Sequence, residues 1–247
     1  MGSQREKGCT VIVFGGQGIL LDVEGTTSSI AFVYDVLFAF ARNHVAEFLT
    51  SHAGDPMVRA IASQLAAEAG IADASSEGSP DMTPIAMAAI DLMNRDIKST
   101  PLKALQGMIW KGGYHSGEIL AHVFDDVPPA LEQWSTSGLD VRIYSSGSIE
   151  AQQLFFRHTA FGDLTSHLRG HYDTTTGPKR VAKSYSQIAA DMQLTPRQIL
   201  FVSDVGEELD AARQAGMATA LAQRPGNHPA GGRLEHEPLE SFADIVV

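Results

Sequence analysis

Acidic or hydroxyl residues follow three of the apolar runs in this sequence. They are Asp22 and Glu24 after Ile19–Leu21, Ser145 and Ser146 after Val141–Tyr144, and Asp204, with Glu207 and Glu208 beyond it, after Ile199–Ser203. A carboxylate at the end of a buried strand loses solvation, which is costly unless a cation or a hydrogen-bond donor lies beside it. If the three strand ends meet, their oxygens would suit a divalent cation, and oxygen-only ligands favour Mg²⁺.

One strand that ends in Asp is ordinary, because Asp readily caps a turn or the helix that follows it. In an open parallel sheet, however, binding sites form at the carboxyl ends of the strands. Three polar strand ends in one such sheet therefore favour a functional site over three unrelated turns. Lys179 follows TTTGP and is predicted to open a helix. It could supply a cation to this site or be a solvated first-turn lysine, and its spacing favours neither interpretation.

The order of predicted helices and strands decides whether these strand ends can meet. After the first predicted strand, Ile19–Val23, apolar residues recur at helical spacing and no strand is evident until about Val123. From Val141 onward, predicted strands alternate with predicted helices, which is typical of a parallel, doubly wound α/β sheet. We therefore expect an α/β core of residues 18–29 and 124–247, with residues 30–123 inserted as a helical cap. Residues 1–17 are then an N-terminal extension.

The composition limits the classes of partner. The 247 residues include 18 Lys and Arg against 29 Asp and Glu, giving a formal net charge of −11. Without a basic run, a nucleic-acid partner is disfavoured, and an anionic substrate has to be held by a metal ion, a few placed cations or helix N-termini. The single cysteine, Cys9, excludes an intramolecular disulfide and cysteine-rich metal sites.

The hydropathy pattern predicts a cytoplasmic protein with no membrane partner. No apolar run approaches the roughly 20 residues that span a bilayer. The N-terminus, whose short apolar stretch is broken by glycines, is not typical of a signal peptide. Since the sequence contains neither amphipathic heptads nor a long apolar surface stretch, a monomer is favoured.

Four segments resemble, in this order along the chain, the four motifs of the haloacid dehalogenase superfamily of phosphohydrolases: LLDVEGTT, IYSSGS, GPK and FVSDVGEE. Longer stretches resemble the enolase-phosphatase (acireductone synthase) family of methionine salvage, among them LKALQGMIWKGGYHSGEI, HYDTTTGPKRVAKSYSQIA and RPGN at 224–227. The resemblance extends over nearly the whole chain from about Gly18 and leaves residues 1–17 unexplained.

The resemblance implies a role for each matching acidic residue. Asp22 would be a metal ligand and the nucleophile, which forms an aspartyl-phosphate. Glu24 stands where related phosphatases carry an Asp that offers a main-chain carbonyl to the metal. Its side chain could protonate the leaving oxygen and then activate water. Asp204 would complete the metal ligands, with Glu208 as a second acid beside it.

The same resemblance implies how the phosphate is bound. Ser145 and Ser146 would contact it, assisted by backbone N–H groups of the turn before the next helix. Lys179 would bind the phosphate and neutralise charge during its transfer. Lys183 lies on the same predicted helix face, but the GPK context favours Lys179.

As the resemblance implies, the enzyme would use one Mg²⁺ per chain to convert 2,3-diketo-5-methylthiopentyl-1-phosphate into the acireductone 1,2-dihydroxy-3-keto-5-methylthiopentene and phosphate. Enolisation would come first, with Mg²⁺ as Lewis acid and either Glu24 or a cap residue as base. The methylthio tail is apolar, so aromatic or Met side chains of the cap are expected around it. The candidates, for which ordinary helix packing is nevertheless the favoured role, are Phe32, Met108, Trp110 and Tyr114.

Two alternatives stay open. The chain could be another phosphatase of the same superfamily that acts on a different small phosphate ester, because the cap residues that select the substrate carry the weakest pattern. It could also be a non-catalytic binding protein of this fold, although all four motifs keep their chemical groups. A second metal site is disfavoured, because the spacings of five histidines fit no compact zinc motif. These are His44, His115, His122, His158 and His171.

Overall fold

The computed structural model describes residues 11–71, 81–95, 97, 99–227 and 235–247. In chain order, the α-helices of these residues are α1 (Ala39–Ser51), α2 (Pro56–Ala69), α3 (Thr83–Asn94), α4 (Thr100–Ser116), α5 (Val127–Thr136), α6 (Ile149–Arg157), α7 (Ala182–Asp191) and α8 (Gly206–Gln214). The β-strands are β1 (Ile12–Val13), β2 (Gly18–Leu21), β3 (Asp140–Tyr144), β4 (Gly170–Tyr172), β5 (Ile199–Ser203), β6 (Ala218–Ala222), β7 (Glu237–Leu239) and β8 (Ile245–Val246). The chain divides into two compact units, of which the first contains Met1–Ile30 and Ala121–Val247 and the second Ala31–Leu120.

A six-stranded parallel sheet forms the centre of the first unit, in the strand order β4-β3-β2-β5-β6-β7. β2 and β5 lie in the middle, and every residue of both strands is buried. Helices flank the sheet. A parallel strand that is covered on both faces typically has a continuous run of apolar residues. The predicted doubly wound parallel α/β sheet is confirmed.

The strand order reverses at β2. The chain runs outward from β2 to β3 and β4, returns to β5 and continues outward to β6 and β7. Ligands of open α/β sheets bind at such a reversal, outside the carboxyl ends of the strands. The residues that follow β2, β3 and β5 are therefore the ones placed to form a site.

Residues 11–17 of the predicted N-terminal extension belong to the first unit. The sequence does not predict that these residues join the α/β core. β1 pairs in parallel with β8, and Phe14 N donates to the Val246 carbonyl at 2.8 Å. Gln17 N donates to the Gln198 carbonyl at 2.9 Å, immediately before β2. Residues 1–10 of the predicted extension lie outside the described residues. The short strands β4 and β7 are not predicted either, because three residues contain too few periods for an apolar pattern to show.

The second unit is helical. A π-helical segment, Phe32–Phe38, runs directly into α1, and α1 to α4 enclose an apolar core that includes Val45 and Leu65. A π-helical segment departs from the regular i to i−4 hydrogen-bond pattern. Trp110 Nε1 donates to the carbonyl of Leu37, in this segment, at 2.8 Å. Trp110, one of the candidates for the methylthio pocket, thus has a structural contact within this unit.

The other candidates for that pocket are packed within the same unit. Phe32 and Tyr114 are buried, and Met108 is half-buried against the apolar core. The small and polar residues at 70–82 predict a surface loop, and most of them lie outside the described residues. Within the described part of the chain, none of the helices is long and apolar enough to cross a membrane.

Candidate active site

Three strand ends meet at the carboxyl edge of the sheet. The register pairs Leu21 of β2 with Ile143 of β3 on one side and with Val202 of β5 on the other. Asp22 directly follows Leu21, and its backbone N–H donates to the Val202 carbonyl at 3.0 Å. The register thus places Asp22 level with Ser203, the last residue of β5.

Lys179 lies between two acidic side chains. Its Nζ is 2.7 Å from Asp22 Oδ1 and 2.6 Å from Glu208 Oε2. The exposed fraction of the side chain is 10% for Lys179, 6% for Asp22 and 11% for Glu208. At this depth each charge needs a partner, because removing an ion from water is costly. Two residues that the sequence assigns to the site, Asp22 and Lys179, are therefore in direct contact, with Glu208 as the second partner of the lysine.

Ser203, which no sequence motif singles out, contacts both acidic side chains. Its Oγ is 3.1 Å from both Asp22 Oδ2 and Glu208 Oε2, and its single proton can be donated to one of them at a time. It also accepts a hydrogen bond from Val205 N at 3.2 Å. A hydroxyl at the last position of an otherwise apolar strand is the sequence feature that could have identified it.

The charges of this cluster shift the pKa values of its members. Burial by itself would lower the pKa of Lys179, but the carboxylates of Asp22 and Glu208 raise it above its ordinary value. Burial and the charge of Asp22 raise the pKa of Glu208. Burial raises the pKa of Asp204 to about 7, and the charges of Asp22 and Glu208 add to the effect. The cluster holds more acidic groups than one lysine neutralises, so an added cation would stabilise it.

Lys179 does not open a helix, and the sequence prediction is wrong on this point. Helix α7 begins at Ala182, and Lys179 lies in the preceding turn. Two side chains of α7 hold that turn: Ser184 Oγ donates to the Pro178 carbonyl at 2.8 Å, and the Tyr185 hydroxyl donates to the Lys179 carbonyl at 2.7 Å. The helix thus fixes the backbone of the lysine without containing it. Periodicity could not show this, because the turn has no apolar pattern.

Tyr144, the last residue of β3, lies beside the lysine. The Lys179 Nζ is 5.7 Å from the centroid of the Tyr144 ring, and the Tyr144 hydroxyl donates to the Gly177 carbonyl at 2.9 Å. Lys183, the other lysine considered from the sequence, is exposed on α7. The structure therefore places Lys179, and not Lys183, among the acidic residues.

Ser145 and Ser146 follow β3 at the same edge of the sheet. Ser145 N donates to the Tyr172 carbonyl of β4 at 3.1 Å, and Ile149 N, at the start of α6, donates to Asp173 Oδ2 at 3.3 Å. These two amides are engaged within the protein and are not available to a ligand. A phosphate bound here would depend on the serine hydroxyls and on other amides of the turn.

Gly25 allows the acidic turn after β2 to close against β5. Its φ of +64° lies in the left-handed region. A Cβ at this position would overlap the Asp204 carboxylate. Thr27 Oγ1 is 3.2 Å from the Asp22 carbonyl and 3.3 Å from the Val23 carbonyl, and so helps to hold the turn. The absence of a side chain at Gly25 lets two acidic strand ends approach each other.

Replacing Gly25 by Ala is expected to destabilise the protein by more than the 1–2 kcal/mol or so that a left-handed conformation costs an L-residue, because the Asp204 side chain would also have to move. The matched control is Gly138→Ala, since Gly138 has a φ of +86° and nothing within 4 Å of an added Cβ. Urea unfolding measures the free energy of unfolding of both variants. Equal losses would contradict the close packing of Gly25 on Asp204.

Asp22 and Asp204 could hold a divalent cation. Asp204 Oδ1 is buried and has no hydrogen-bond partner among the described residues, as expected of an oxygen that a metal ion or its water would satisfy. In the described ranges, no three His, Cys, Asp or Glu side chains are grouped as a metal site. Mg²⁺ needs no such group, because it keeps several waters and typically binds proteins through one or two carboxylates. The oxygens present fit Mg²⁺.

This chain is similar to a family of hydrolases and to curated proteins from several bacteria. The family model of haloacid dehalogenase-like hydrolases matches residues 17–216. Enolase-phosphatase E1 from Pseudomonas aeruginosa (strain UCBPP-PA14) is 47% identical over 232 residues, which cover 94% of this chain and 98% of the relative. Enolase-phosphatase E1 from Sorangium cellulosum (strain So ce56) is 45% identical over 230 residues, covering 93% of this chain and 97% of the relative.

Solved structures are similar to this chain as well. The crystal structure of the UTR4 protein from Saccharomyces cerevisiae is similar with a TM-score of 0.77 at 33% sequence identity, covering 92% of this chain and 99% of that chain. A dehalogenase crystallised with an intermediate complex has a TM-score of 0.55 at 16% identity, covering 94% of this chain and 96% of that chain. At that identity the second likeness shows the fold alone.

Proposed function

Because the chain belongs to the enolase-phosphatases within the haloacid dehalogenase-like hydrolases, we propose that it converts 2,3-diketo-5-methylthiopentyl-1-phosphate into the acireductone 1,2-dihydroxy-3-keto-5-methylthiopentene and phosphate. The chain is a phosphatase of methionine salvage. The observation that carries the proposed chemistry is the buried contact of Asp22 with Lys179 at the carboxyl edge of the sheet.

Phosphate removal would begin with Asp22. Its carboxylate oxygen attacks phosphorus, the bond from phosphorus to the substrate oxygen breaks, and an aspartyl-phosphate forms. Water then attacks phosphorus, which releases phosphate and regenerates the carboxylate. Lys179 stays protonated because its pKa is raised, and from 2.7 Å it offsets the charge of the carboxylate and of the transferring group.

Glu24 is the proposed proton carrier. It stands two residues after Asp22 and is half-buried. As a general acid it would protonate the leaving oxygen, and as a general base it would take a proton from the attacking water. In the preceding enolisation Glu24 would remove the proton next to the carbonyl. The longer side chain of Glu, compared with Asp, extends the reach of the carboxylate by one methylene.

Phosphatases of this family depend on Mg²⁺ in general. A bound Mg²⁺ would supply Lewis-acid stabilisation of negative charge on the reacting oxygens. We assign one ion per chain to Asp22, Asp204 and the main chain of Glu24, with Glu208 as a second acid that pairs with Lys179. The unpartnered Asp204 Oδ1 supports this assignment. Ser145 and Ser146 would contact the substrate phosphate through their hydroxyls.

A monomeric state, a cytoplasmic location and the lack of a nucleic-acid partner stay predictions. The net charge of −11 supports the last of these, since a polyanion would be repelled. Size-exclusion chromatography with light scattering tests whether the protein is a monomer.

An assay that follows the enol and the phosphate separately tests the proposed function. With Mg²⁺ and the diketone phosphate, an ultraviolet-absorbing enol should appear before phosphate is released. Phosphate release with no preceding enol would favour the alternative, a related phosphatase for another small phosphate ester. Activity that persists after chelation of divalent ions would contradict the metal assignment.

Replacing Glu24 by Gln is expected to slow enol formation by about 10²- to 10⁴-fold, the usual contribution of a general base. Glu207→Gln is the matched control, since Glu207 is exposed on α8 and the change in charge is the same. Stopped-flow absorbance measures the enol directly. Enol formation at the wild-type rate with slower phosphate release would place the enolisation base elsewhere and leave Glu24 a role in phosphate transfer only.

A further inference from the structure

The segment Arg-Pro-Gly-Asn at 224–227 has no role in the mechanism above, yet it lies against the acidic turn. Asn227 Nδ2 donates to the Gly25 carbonyl at 2.8 Å, and Arg224 Nε donates to the Thr26 carbonyl at 2.9 Å. Two successive carbonyls of the turn that carries Glu24 are thus held by one segment that comes from about 200 residues later in the chain.

The contacts of Arg224 indicate that this residue has a structural role. Its side chain is almost fully buried, and Nη1 is 2.8 Å from Asp126 Oδ2. The guanidinium carbon lies 4.7 Å from the centroid of the Phe124 ring and 4.5 Å from that of Phe242. A buried, paired and stacked arginine of this kind anchors the turn to the surrounding core.

Arg224 Nη2 and one end of the Asn227 amide are both buried without a hydrogen-bond partner among the described residues, and the amide end is an acceptor. Nδ2 faces two carbonyls, those of Gly25 and Ala222 at 2.8 and 3.3 Å, which identifies that end as the NH₂ group. Oδ1 is buried and, within the described ranges, accepts no hydrogen bond. A buried acceptor without a donor is costly, so it calls for a partner that the chain does not supply.

The unsatisfied oxygen of Asn227 and the Asp204 carboxylate lie against the same glycine. Asn227 Oδ1 is 3.1 Å from the position that a Cβ of Gly25 would occupy, and Asp204 presents its other oxygen, Oδ2, to the same position. Asp204 Oδ1 is the other buried carboxylate or amide oxygen in this part of the described chain that has no donor. A cation bound by Asp204, together with a water of that cation, can satisfy both of these oxygens.

We propose that Asn227 is a positioning residue of the Mg²⁺ site: Nδ2 fixes the acidic turn, and Oδ1 accepts a hydrogen bond from a water of the cation held by Asp204. This inference rests on the proposed function, because it requires the cation. Mg²⁺ gives up its waters reluctantly, so a well-placed acceptor for one of them stabilises the bound ion. A neutral amide oxygen does so without adding charge to a cluster already rich in carboxylates.

Mg²⁺ binding without substrate tests this inference, measured by titration calorimetry and by the rise in unfolding temperature that Mg²⁺ causes. Asn227→Ala is expected to weaken Mg²⁺ binding by about 10- to 100-fold, the usual effect of removing a group that orients a metal ligand. Asn227→Asp keeps an acceptor oxygen and loses the NH₂ donor, so it should bind Mg²⁺ more tightly than the Ala variant. Asn94→Ala, at an exposed position of α3, is the matched control and should bind as the wild type does.

Each outcome decides a different point. Unchanged Mg²⁺ affinity in Asn227→Ala would overturn the inference, and so would equal weakening in the Ala and Asp variants, since the bond to Gly25 would then be what matters. A wild type that binds no Mg²⁺ would instead overturn the metal part of the proposed function. If Asn227→Ala fails to fold, Asn227→Ser replaces it with the same expectation, because a serine hydroxyl is too short to reach both Gly25 and a hydrated cation.

Discussion

Replacing Asp22 by Asn is expected to reduce phosphate release by about 10⁴- to 10⁶-fold, the scale of losses when a covalent nucleophile is removed. The amide has the size of the carboxylate but no anionic oxygen that could attack phosphorus. The fold should persist, because Lys179 keeps its 2.6 Å pair with Glu208. Phosphate release by the Mg²⁺-loaded enzyme is the measurement, and circular dichroism checks the fold.

The control for this variant is Asp210→Asn. Asp210 lies on α8, its side chain is 60% exposed, and it pairs with Arg213 at 2.8 Å. The substitution changes the charge by the same amount but should leave phosphate release at the wild-type level. Undiminished release by Asp22→Asn would falsify the assignment of the nucleophile.

Replacing Lys179 by Met is expected to abolish most of the activity and also to lower the free energy of unfolding by about 3–5 kcal/mol, the usual cost of removing one partner of a buried ion pair. Methionine fills much of the volume of the lysine but leaves the buried carboxylates of Asp22 and Glu208 without a cation. Urea unfolding should be measured with a chelator present, because a bound divalent ion would compensate for part of the lost charge.

The stability loss of Lys179→Met should depend on pH with a definite sign. Burial raises the pKa values of the Glu208 and Asp204 carboxyl groups in the folded state. The folded variant therefore binds more protons than the unfolded state and loses stability as pH rises. Asp204 illustrates the direction of this shift, because burial raises its pKa to about 7 even with the lysine present. The difference from the wild type should therefore be largest above about pH 7 and shrink towards pH 4, near the ordinary pKa of a carboxyl group. In the wild type, the raised pKa of Lys179 adds stability that is fully present below its ordinary pKa of 10.5 and is lost at higher pH, as the pH passes its folded-state pKa.

Lys183→Met serves as the matched control for this experiment. Lys183 is exposed on α7, four residues after Lys179, so its replacement should change the free energy of unfolding by no more than about 0.5 kcal/mol. A loss in Lys179→Met that is the same at every pH would contradict the view that uncompensated carboxylates cause it.

The sequence by itself determined the fold class and the positions of the acidic strand ends. Asp22 and Asp204 each follow an apolar run, and such a run in a parallel sheet ends where the strand reaches solvent or a ligand. The alternation of strands and helices then required those ends to lie at one edge of the sheet. The roles of these residues in catalysis and in metal binding stay predictions until the variants above are measured.

Only the tertiary structure decided which side chains touch. Lys179 lies in a turn that Ser184 and Tyr185 hold from the following helix, and no periodicity in the sequence shows this. Ser203 meets Asp22 across 181 residues of sequence, and Asn227 meets Gly25 across 202. Apolar patterns report which face of an element is buried, because burial repeats with the period of the element. A hydrogen bond between distant polar residues has no period, so its partners are known only once the chain has folded.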